Sequence, residues 1–196
     1  RYHIGLLARQ FALFADKNPA MLGIQTVLKA LSAEIEESVS FCTMDRVAMM
    51  VDHVEVVQSK HVIRYVIESE TRRPLYCSSP GQVLLAWQDP DLIRDYVENT
   101  TLTRFTPNTI VTPEALMDRL ARIRHDGYVV VDSEMTPGVI GASVPILGPE
   151  GNVLAALALG APQTRGAGRA PEYVARLRVA ARRLSGQAAV GISSTP

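Results

Sequence analysis

The most informative stretch of the sequence is Arg73-Pro-Leu-Tyr-Cys-Ser-Ser-Pro-Gly-Gln-Val-Leu-Leu-Ala-Trp87. Two serines stand before Pro80, and an apolar run follows it. This order predicts a helix with Ser79 as its N-cap and Pro80 as its first residue, where the missing N–H costs nothing. The amino end of such a helix directs N–H groups and a positive dipole at whatever lies in front of it, which suits a carboxylate. An ordinary capped helix without a ligand is the alternative at this point.

Composition excludes several classes of protein. The 196 residues carry 20 acidic and 20 basic side chains, so no net charge directs the chain to nucleic acid or to a membrane surface. No apolar run has the length of a membrane span, and no signal peptide is evident. The two cysteines, Cys42 and Cys77, fit a reducing compartment, so we expect a cytoplasmic protein. Because the sequence begins at Arg1 without Met, we expect it to be the later part of a longer chain.

The pattern along the chain predicts both helical and strand segments. Helices are predicted at Ile4–Asp16, Met21–Glu37, Ser79–Trp87, from Asp89 onward, at Thr112–Gly127 and at Pro171–Leu184. Strands are predicted at Val39–Met44 and Val47–Val56, which form a hairpin, and at Val62–Glu68, Tyr128–Asp132, Ala142–Leu147 and Val153–Leu159. Strands and helices do not alternate regularly, and no phosphate-binding glycine motif is present. The pattern therefore predicts an α/β layer with a mostly antiparallel sheet and argues against a nucleotide-dependent enzyme.

Few residues could carry chemistry. Asp132 and Glu134 stand two apart at a strand end, where paired carboxylates can bind a ligand or lie in solvent. Arg73 leads into the capped helix and could hold a carboxylate with two parallel hydrogen bonds, or lie at the surface. Cys77 or Ser78 could act as a nucleophile beside the helix start, which makes a small hydrolase the alternative function. No serine-hydrolase motif accompanies them, and no histidine or cysteine spacing indicates a metal site.

Three motifs, taken in order, resemble the effector-binding domain of IclR-type bacterial transcription regulators. They are R-x-P-L-Y-C-x-S-x-G-x-V-L-L-A (Arg72 to Ala86), D-x-E-x-x-x-G (Asp132 to Gly138) and S-V-P-I (Ser143 to Ile146). The opening Tyr2-x-Ile4-Gly5 is similar to the segment that joins the family's N-terminal winged helix-turn-helix to a linker helix. The motifs are loose singly but specific in this order.

The resemblance implies a GAF-like α/β domain, with an antiparallel sheet of about six strands, helices on both faces and a preceding linker helix. Residues 1–17 would be the end of the wing and the linker helix, 18–185 the effector-binding domain and 186–196 a flexible tail. The domain would sense a small molecule, assemble as a homodimer or homotetramer and alter operator binding through a missing N-terminal DNA-binding domain. It would be no enzyme and need no cofactor or metal. Within the family, the variants Tyr76-Cys77-x-Ser79 and Asp132-x-Glu134 look most similar to those of regulators that respond to aromatic acids and to β-ketoadipate.

The resemblance also implies a set of pocket residues, with departures from the family pattern. Pro80 has no N–H at a position where the family uses a backbone amide to bind the ligand. Arg73 occupies a position that is usually apolar in the family. These departures predict a ligand with a carboxylate held by Arg73 and the serines, and with a larger apolar body packed on Tyr65. Asp132 or Glu134 would read a distal hydroxyl. The predicted effector-binding residues are Val62, Tyr65, Arg73, Ser78, Ser79, Asp132, Glu134, Gly141, Ala158 and Gly160.

Overall fold

A six-stranded antiparallel sheet organises the domain. The computed structural model describes residues 19–68 and 72–193, with side chains for residues 21–68 and 72–185. The strands are β1 (Ser38–Asp45), β2 (Met50–Val57), β3 (Arg73–Pro74), β4 (Val129–Asp132), β5 (Val139–Leu147) and β6 (Val153–Pro162). The helices are α1 (Pro19–Ile35), α2 (Ser79–Ala86), α3 (Pro90–Asn99), α4 (Pro113–Asp126), α5 (Gln163–Gly166) and α6 (Ala170–Ser193), with a 3₁₀ turn at Ala167–Arg169.

The strand order across the sheet is β3-β2-β1-β6-β5-β4, and each neighbouring pair is antiparallel. Strands β1 to β3 form one half of the sheet and β4 to β6 the other. The two halves meet at the centre of the sheet, where β1 pairs with β6. Helices cover both faces, since one apolar core lies on each side. The predicted α/β fold, a six-stranded antiparallel sheet between helices, is confirmed.

The two faces have different side chains because residues alternate along each strand. On one face, branched residues such as Val39, Val144 and Leu157 pack against Leu28 of α1 and Leu177 of α6. The opposite face of β5 and β6 has small residues, which leave room for a helix to approach closely. The helix α2 lies there, and all eight of its residues are buried.

Local sequence signals set several helix ends. Asp89 caps α3 by accepting a hydrogen bond from the Asp91 amide, and Thr112 caps α4 by accepting one from the Ala115 amide. The residue after α4, Gly127, has a φ of 73° and donates its N–H to the Ile123 carbonyl. These are the capping roles that the residue types predicted.

The prediction of a strand at Val62–Glu68 is wrong, and the third strand is the short β3. In the segment Ser59–Glu68, here called the 59–68 loop, side chains bind the backbone in place of a strand partner. The Gln58 amide donates to the Ile67 carbonyl at 2.6 Å and accepts from the Ile67 N–H at 3.3 Å. The Ser38 hydroxyl donates to the Tyr65 carbonyl at 2.7 Å. These bonds satisfy backbone groups of Tyr65 and Ile67 that a strand ladder would otherwise pair.

The last helix extends further than its apolar pattern indicated. It continues to Ser193, past Leu184, through most of the segment that was predicted to be a flexible tail. The predicted linker helix at Ile4–Asp16 lies outside the described residues, and the division of the chain into domains stays a prediction. Among the described helices, none combines the length and the apolar character that a bilayer crossing requires.

Candidate functional site

A small cavity of about 70 Å³ lies between the amino end of α2 and the adjacent face of the sheet. Strand residues form its floor, the 59–68 loop covers one side, and the turn after β4 covers another. Eight of the ten predicted site residues line it: Tyr65, Arg73, Ser78, Ser79, Glu134, Gly141, Ala158 and Gly160. The fold thus brings together residues from five separate parts of the sequence.

The other two predicted residues, Val62 and Asp132, do not lie at the cavity. Val62 is 95% exposed, because its segment is a loop and not the strand that would have turned it inward. Asp132 is on the opposite side of β4 from Val131, which does line the cavity. Both oxygens of the exposed Asp132 carboxylate accept hydrogen bonds from Gln163, at 2.8 and 2.9 Å. The strand ends there, and Ser133 has a φ of 54°, so Asp132 and Glu134 do not share a face.

The start of α2 is one residue earlier than the sequence indicated. Ser78 is the N-cap with extended backbone, Ser79 is the first helical residue, and Pro80 is the second. The Ser78 hydroxyl donates to the Pro74 carbonyl at 2.8 Å and does not cap the helix. An α-helix leaves the amides of its first turn without partners in the helix, and this turn lines the cavity. The amino end of α2 therefore borders the space in which a small molecule could bind.

Gly141 allows α2 to approach the sheet. A Cβ at this position would lie 2.9 Å from a Val131 methyl group and 3.0 Å from the Ser79 hydroxyl oxygen. The neighbouring Ser143 donates its hydroxyl proton to Ser79 at 3.0 Å, in a buried hydrogen bond. The helix start is thus held on β5 by close contact and one polar bond.

Arg73 supplies the positive charge of the cavity. It lies in β3 and is half-buried, and within residues 21–68 and 72–185 no acidic side chain forms an ion pair with it. Its neighbour Arg72 differs, because it pairs with Asp45 at 3.2 Å and with Asp52 at 3.1 Å on the outside of the hairpin. The guanidinium of Arg73 therefore remains available to an anion in the cavity.

Glu134 lines the cavity but is already bound from behind. Its carboxylate accepts from the Gln82 amide at 2.6 Å and from the Arg119 guanidinium at 2.9 Å. Burial raises the pKa of Glu134, and the charge of Arg119 opposes that rise. Sequence reasoning missed both partners. Gln82 follows the glycine of the first motif, but no spacing connects Arg119 of α4 with either residue.

Tyr65 forms part of the cavity wall by lying directly against β6. A Cβ added at Gly160 would stand 2.3 Å from Cδ1 of the Tyr65 ring and 2.9 Å from Cε1. The absence of a side chain at this strand position is therefore what lets the ring reach the sheet. Glycine has a steric role here, since its φ is not in the left-handed region.

We expect Gly160→Ala to destabilise the domain by about 1–3 kcal/mol, because the new methyl group overlaps the Tyr65 ring. In a Tyr65→Ala background the same change should be neutral or slightly stabilising, since alanine lowers the entropy of the unfolded chain. Urea denaturation of the four proteins in this double-mutant cycle measures the coupling. Equal effects of Gly160→Ala in both backgrounds would contradict the contact.

Neither cysteine, Cys77 in the cavity wall or Cys42 outside it, is poised as a nucleophile. Burial raises the pKa of Cys77 to about 12, and it raises that of Cys42 to about 12 as well. His53 contacts the Cys42 sulfur at 3.3 Å, and burial lowers the pKa of its ring to about 4. Both thiols are therefore protonated near neutral pH, which removes the basis for a thiolate nucleophile. Within the part of the chain that the structure describes, no three His, Cys, Asp or Glu residues form a metal-binding group.

Comparison with known proteins gives the family. The family model described as bacterial transcriptional regulator IclR, C-terminal, matches residues 20–186. The chain belongs to the IclR family. This IclR domain is 32% identical over 161 residues to the HTH-type transcriptional regulator KdgR of Escherichia coli (strain K12), covering 82% of this chain and 60% of KdgR. It is 30% identical over 147 residues to the Pca regulon regulatory protein of Pseudomonas putida, covering 74% of this chain and 49% of that protein.

The fold of the IclR domain also matches solved structures. One is a double mutant of the inducer-binding domain of the transcription factor PobR from Acinetobacter, in complex with 3-hydroxybenzoic acid. It superposes with a TM-score of 0.75 at 27% identity, over 82% of this chain and 94% of that one. By contrast, the IclR domain spans only 60% and 49% of the two curated regulators.

Proposed function

We propose that this IclR domain is the sensor of a transcription regulator and that its effector is a small aromatic carboxylic acid. The observation that carries the proposal is the cavity in which a helix amino end and a tyrosine ring converge with Arg73, an arginine that has no ion-pair partner among the described side chains. In this proposal the site is separate from the part of the regulator that contacts DNA. The molecule bound there would therefore act as a signal and would not contact the operator.

The polar end of the cavity supports an anionic ligand. Arg73 can donate two parallel N–H bonds to a carboxylate, which fixes both the position and the orientation of the acid. The first turn of α2 adds the backbone amide of Ser79 and a partial positive charge at the same end, while Pro80 has no N–H to donate. His53 is neutral near pH 7 because its pKa is low, so Arg73 is the main cation that a ligand meets on this side.

The remaining wall supports a flat apolar body. Ile67, Val131, Val139 and Leu159 line the cavity together with Tyr65, whose ring can pack on an aromatic ligand. The Glu134 carboxylate accepts two hydrogen bonds from the protein and retains capacity for another, from a ring hydroxyl. The similarity to PobR, whose domain was solved with 3-hydroxybenzoic acid, agrees with this class of ligand.

Regulation follows from unequal binding to two states. The acid changes operator affinity only if it binds the DNA-binding and the released conformations with different affinities. We propose that a separate N-terminal module contacts DNA, that the regulator works in the cytoplasm as a homodimer or homotetramer, and that the sensor performs no catalysis. Its relatives, which are transcription regulators, support this role.

Replacing Arg73 tests the proposed function. We expect Arg73→Ala to weaken binding of the best acid in a panel of hydroxybenzoates, dicarboxylates and oxoacids by roughly 10- to 150-fold. This corresponds to loss of a charge-assisted contact of about 1.5–3 kcal/mol. Arg73→Lys should fall between the two, because lysine keeps the charge but cannot form the bidentate pair. Isothermal titration calorimetry measures all three proteins.

Arg72→Ala is the matched control, since Arg72 is adjacent in sequence but pairs with Asp45 and Asp52 outside the cavity. Its affinity for the acid should stay within about twofold of wild type. An Arg73→Ala protein that binds the acid as tightly as wild type rejects the arginine contact. A wild-type protein whose melting temperature responds to no acid in the panel rejects the proposed class of effector.

A further inference from the structure

A carboxylate lies in the wall of a cavity that is otherwise built for an anion. Glu134 is 4% exposed and lines the same cavity as Arg73. In a buried site two opposite charges interact far more strongly than in water, so an uncompensated Glu134 would compete with the ligand for Arg73. It would also repel the ligand's own carboxylate directly. Another group therefore has to neutralise the charge of Glu134 if an acid is to bind.

Arg119 neutralises the Glu134 carboxylate from outside the cavity. Its Nη1 donates to Glu134 Oε1 at 2.9 Å. The Arg119 side chain, which belongs to α4, is 24% exposed. It is not among the residues that line the cavity. The positive charge is therefore placed behind the carboxylate, where it neutralises Glu134 without meeting the ligand.

Gln82 fixes this arrangement. The Gln82 amide is fully buried, and its nitrogen donates both to Glu134 Oε2 at 2.6 Å and to the Tyr76 carbonyl at 2.8 Å. Its oxygen accepts from Arg119 Nη1 at 3.3 Å. The three side chains form a closed set in which each buried polar atom has a partner.

We propose that Arg119 determines the charge specificity of the cavity, because it cancels Glu134 and leaves Arg73 as the charge that selects an anionic ligand. Arg119 acts through Glu134 and is a positioning residue that does not touch the ligand. The inference rests on the proposed function, which supplies the acid. Without Arg119 the cavity should lose its preference for an acid over the matching neutral amide.

The inference predicts a dependence on pH that a purely structural role would not produce. The charged and titratable groups that interact with Glu134 are Arg119 from α4 and Cys77 before α2, and Arg73 and His53 line the same cavity. The pKa of His53 is about 4 and that of Cys77 about 12, so neither changes charge between pH 6 and pH 8. Burial already raises the pKa of Glu134, and removing Arg119 removes the charge that opposes the rise. In the variant, Glu134 should therefore take up a proton as the pH falls, and the repulsion should disappear.

The test compares 4-hydroxybenzoate with 4-hydroxybenzamide by calorimetry. At pH 8 we expect Arg119→Met to weaken binding of the acid at least about tenfold and to change binding of the amide by less than about twofold. Lowering the pH to 6 should recover part of the loss for the acid, because the pKa of Glu134 rises further once Arg119 is removed. Arg119→Met with Glu134→Gln should restore the acid's affinity at pH 8, because the unpaired carboxylate is gone. Arg122→Met is the control, since Arg122 is exposed on the same helix and its Nε donates to the Asp118 carbonyl.

Two outcomes overturn the inference. In one, acid and amide lose affinity equally in Arg119→Met, with no recovery at pH 6. In the other, the carboxyl ¹³C resonance of Glu134 in ligand-free protein titrates with the same pKa in wild type and in Arg119→Met. The second measurement needs no ligand, so it decides the inference even if wild type binds neither probe. The proposed function is rejected by a different result, which is a wild-type protein that responds to no acid in the panel.

Discussion

Gly81→Ala should destabilise the domain by about 3 kcal/mol and lower its melting temperature by roughly 6–12 °C. A Cβ at Gly81 would lie 2.5 Å from the Leu75 Cα, 2.5 Å from the Leu75 carbonyl oxygen and 2.6 Å from the Ser78 hydroxyl oxygen. Two of these atoms belong to a buried backbone and cannot rotate away. In a free helix the same change would stabilise by up to about 1 kcal/mol, so the packing has to outweigh the helix propensity.

The matched control is Gly168→Ala, because a Cβ at Gly168 meets no atom within 4 Å and its φ is not left-handed. Its stability should equal that of wild type or exceed it slightly. Guanidinium denaturation followed by circular dichroism compares the three proteins. A Gly81→Ala protein as stable as Gly168→Ala would contradict the close approach of α2 to the Leu75 backbone.

Gly81→Ala should also affect ligand binding. To relieve the overlap, the first turn of α2 has to move away from the segment that follows Arg73, and both form the polar end of the cavity. The glycine of the first sequence motif is thus required by packing beneath the site. We expect a folded Gly81→Ala protein to bind the acid more weakly than wild type, while Gly168→Ala binds it unchanged.

The fold could be predicted from sequence where local chemistry determines it. The caps at Asp89, Thr112 and Gly127 use short-range bonds within four residues, and each lies where its residue type indicated. The strands that alternate or run apolar, such as β1 and β6, were predictable for the same reason. The 59–68 loop was not, because Val62 and Ile63 have strand propensity while the bonds that define the loop come from Gln58 and Ser38.

The candidate site divides in the same way. Arg73, Ser78 and Ser79 are neighbours in sequence, so one motif was enough to place them together. The partners of Glu134 are 52 and 15 residues away in sequence, in α2 and α4, and only the packing of those helices brings them together. Asp132 was assigned to the cavity on the assumption that β4 continues through Glu134. The positive φ of Ser133 ends the strand and invalidates that assumption.

A buried ion pair between residues far apart in sequence, Glu37 and Arg165, predicts the second large effect. Glu37 is fully buried between α1 and β1, and Arg165 of α5 donates to its two oxygens at 2.6 and 2.8 Å. Tyr173 of α6 donates its hydroxyl proton to the same carboxylate at 3.1 Å. Arg165 also donates to the Ile63 carbonyl, at 3.2 and 3.3 Å. The Arg165 guanidinium thus joins the buried carboxylate to the loop that carries Tyr65, and the same carboxylate is bound by Tyr173 of the last helix.

We expect Arg165→Met to destabilise the domain by about 3 kcal/mol, which lowers the melting temperature by roughly 6–12 °C. The cost arises mainly from leaving the Glu37 carboxylate buried without its cation. It lies near the lower end of the range for buried pairs because Arg165 is 27% exposed. Amide hydrogen exchange in the 59–68 loop should accelerate as well, since the loop loses its bond to Arg165.

A double mutant separates the buried charge from the packing of the long side chain. Adding Glu37→Gln to Arg165→Met should recover at least about 1 kcal/mol, because a neutral amide costs less to bury than an unpaired carboxylate. Arg176→Met is the control on α6: its ion pair with Glu34 has both side chains about half exposed, and its loss should cost at most about 1 kcal/mol. If Arg165→Met and Arg176→Met prove equally mild in urea denaturation, the Glu37 pair does not connect the terminal helix to the cavity wall. The loop would then be held by the bonds of Ser38 and Gln58 to its backbone at Tyr65 and Ile67, and by the bond of Ser59 to the Glu36 carbonyl.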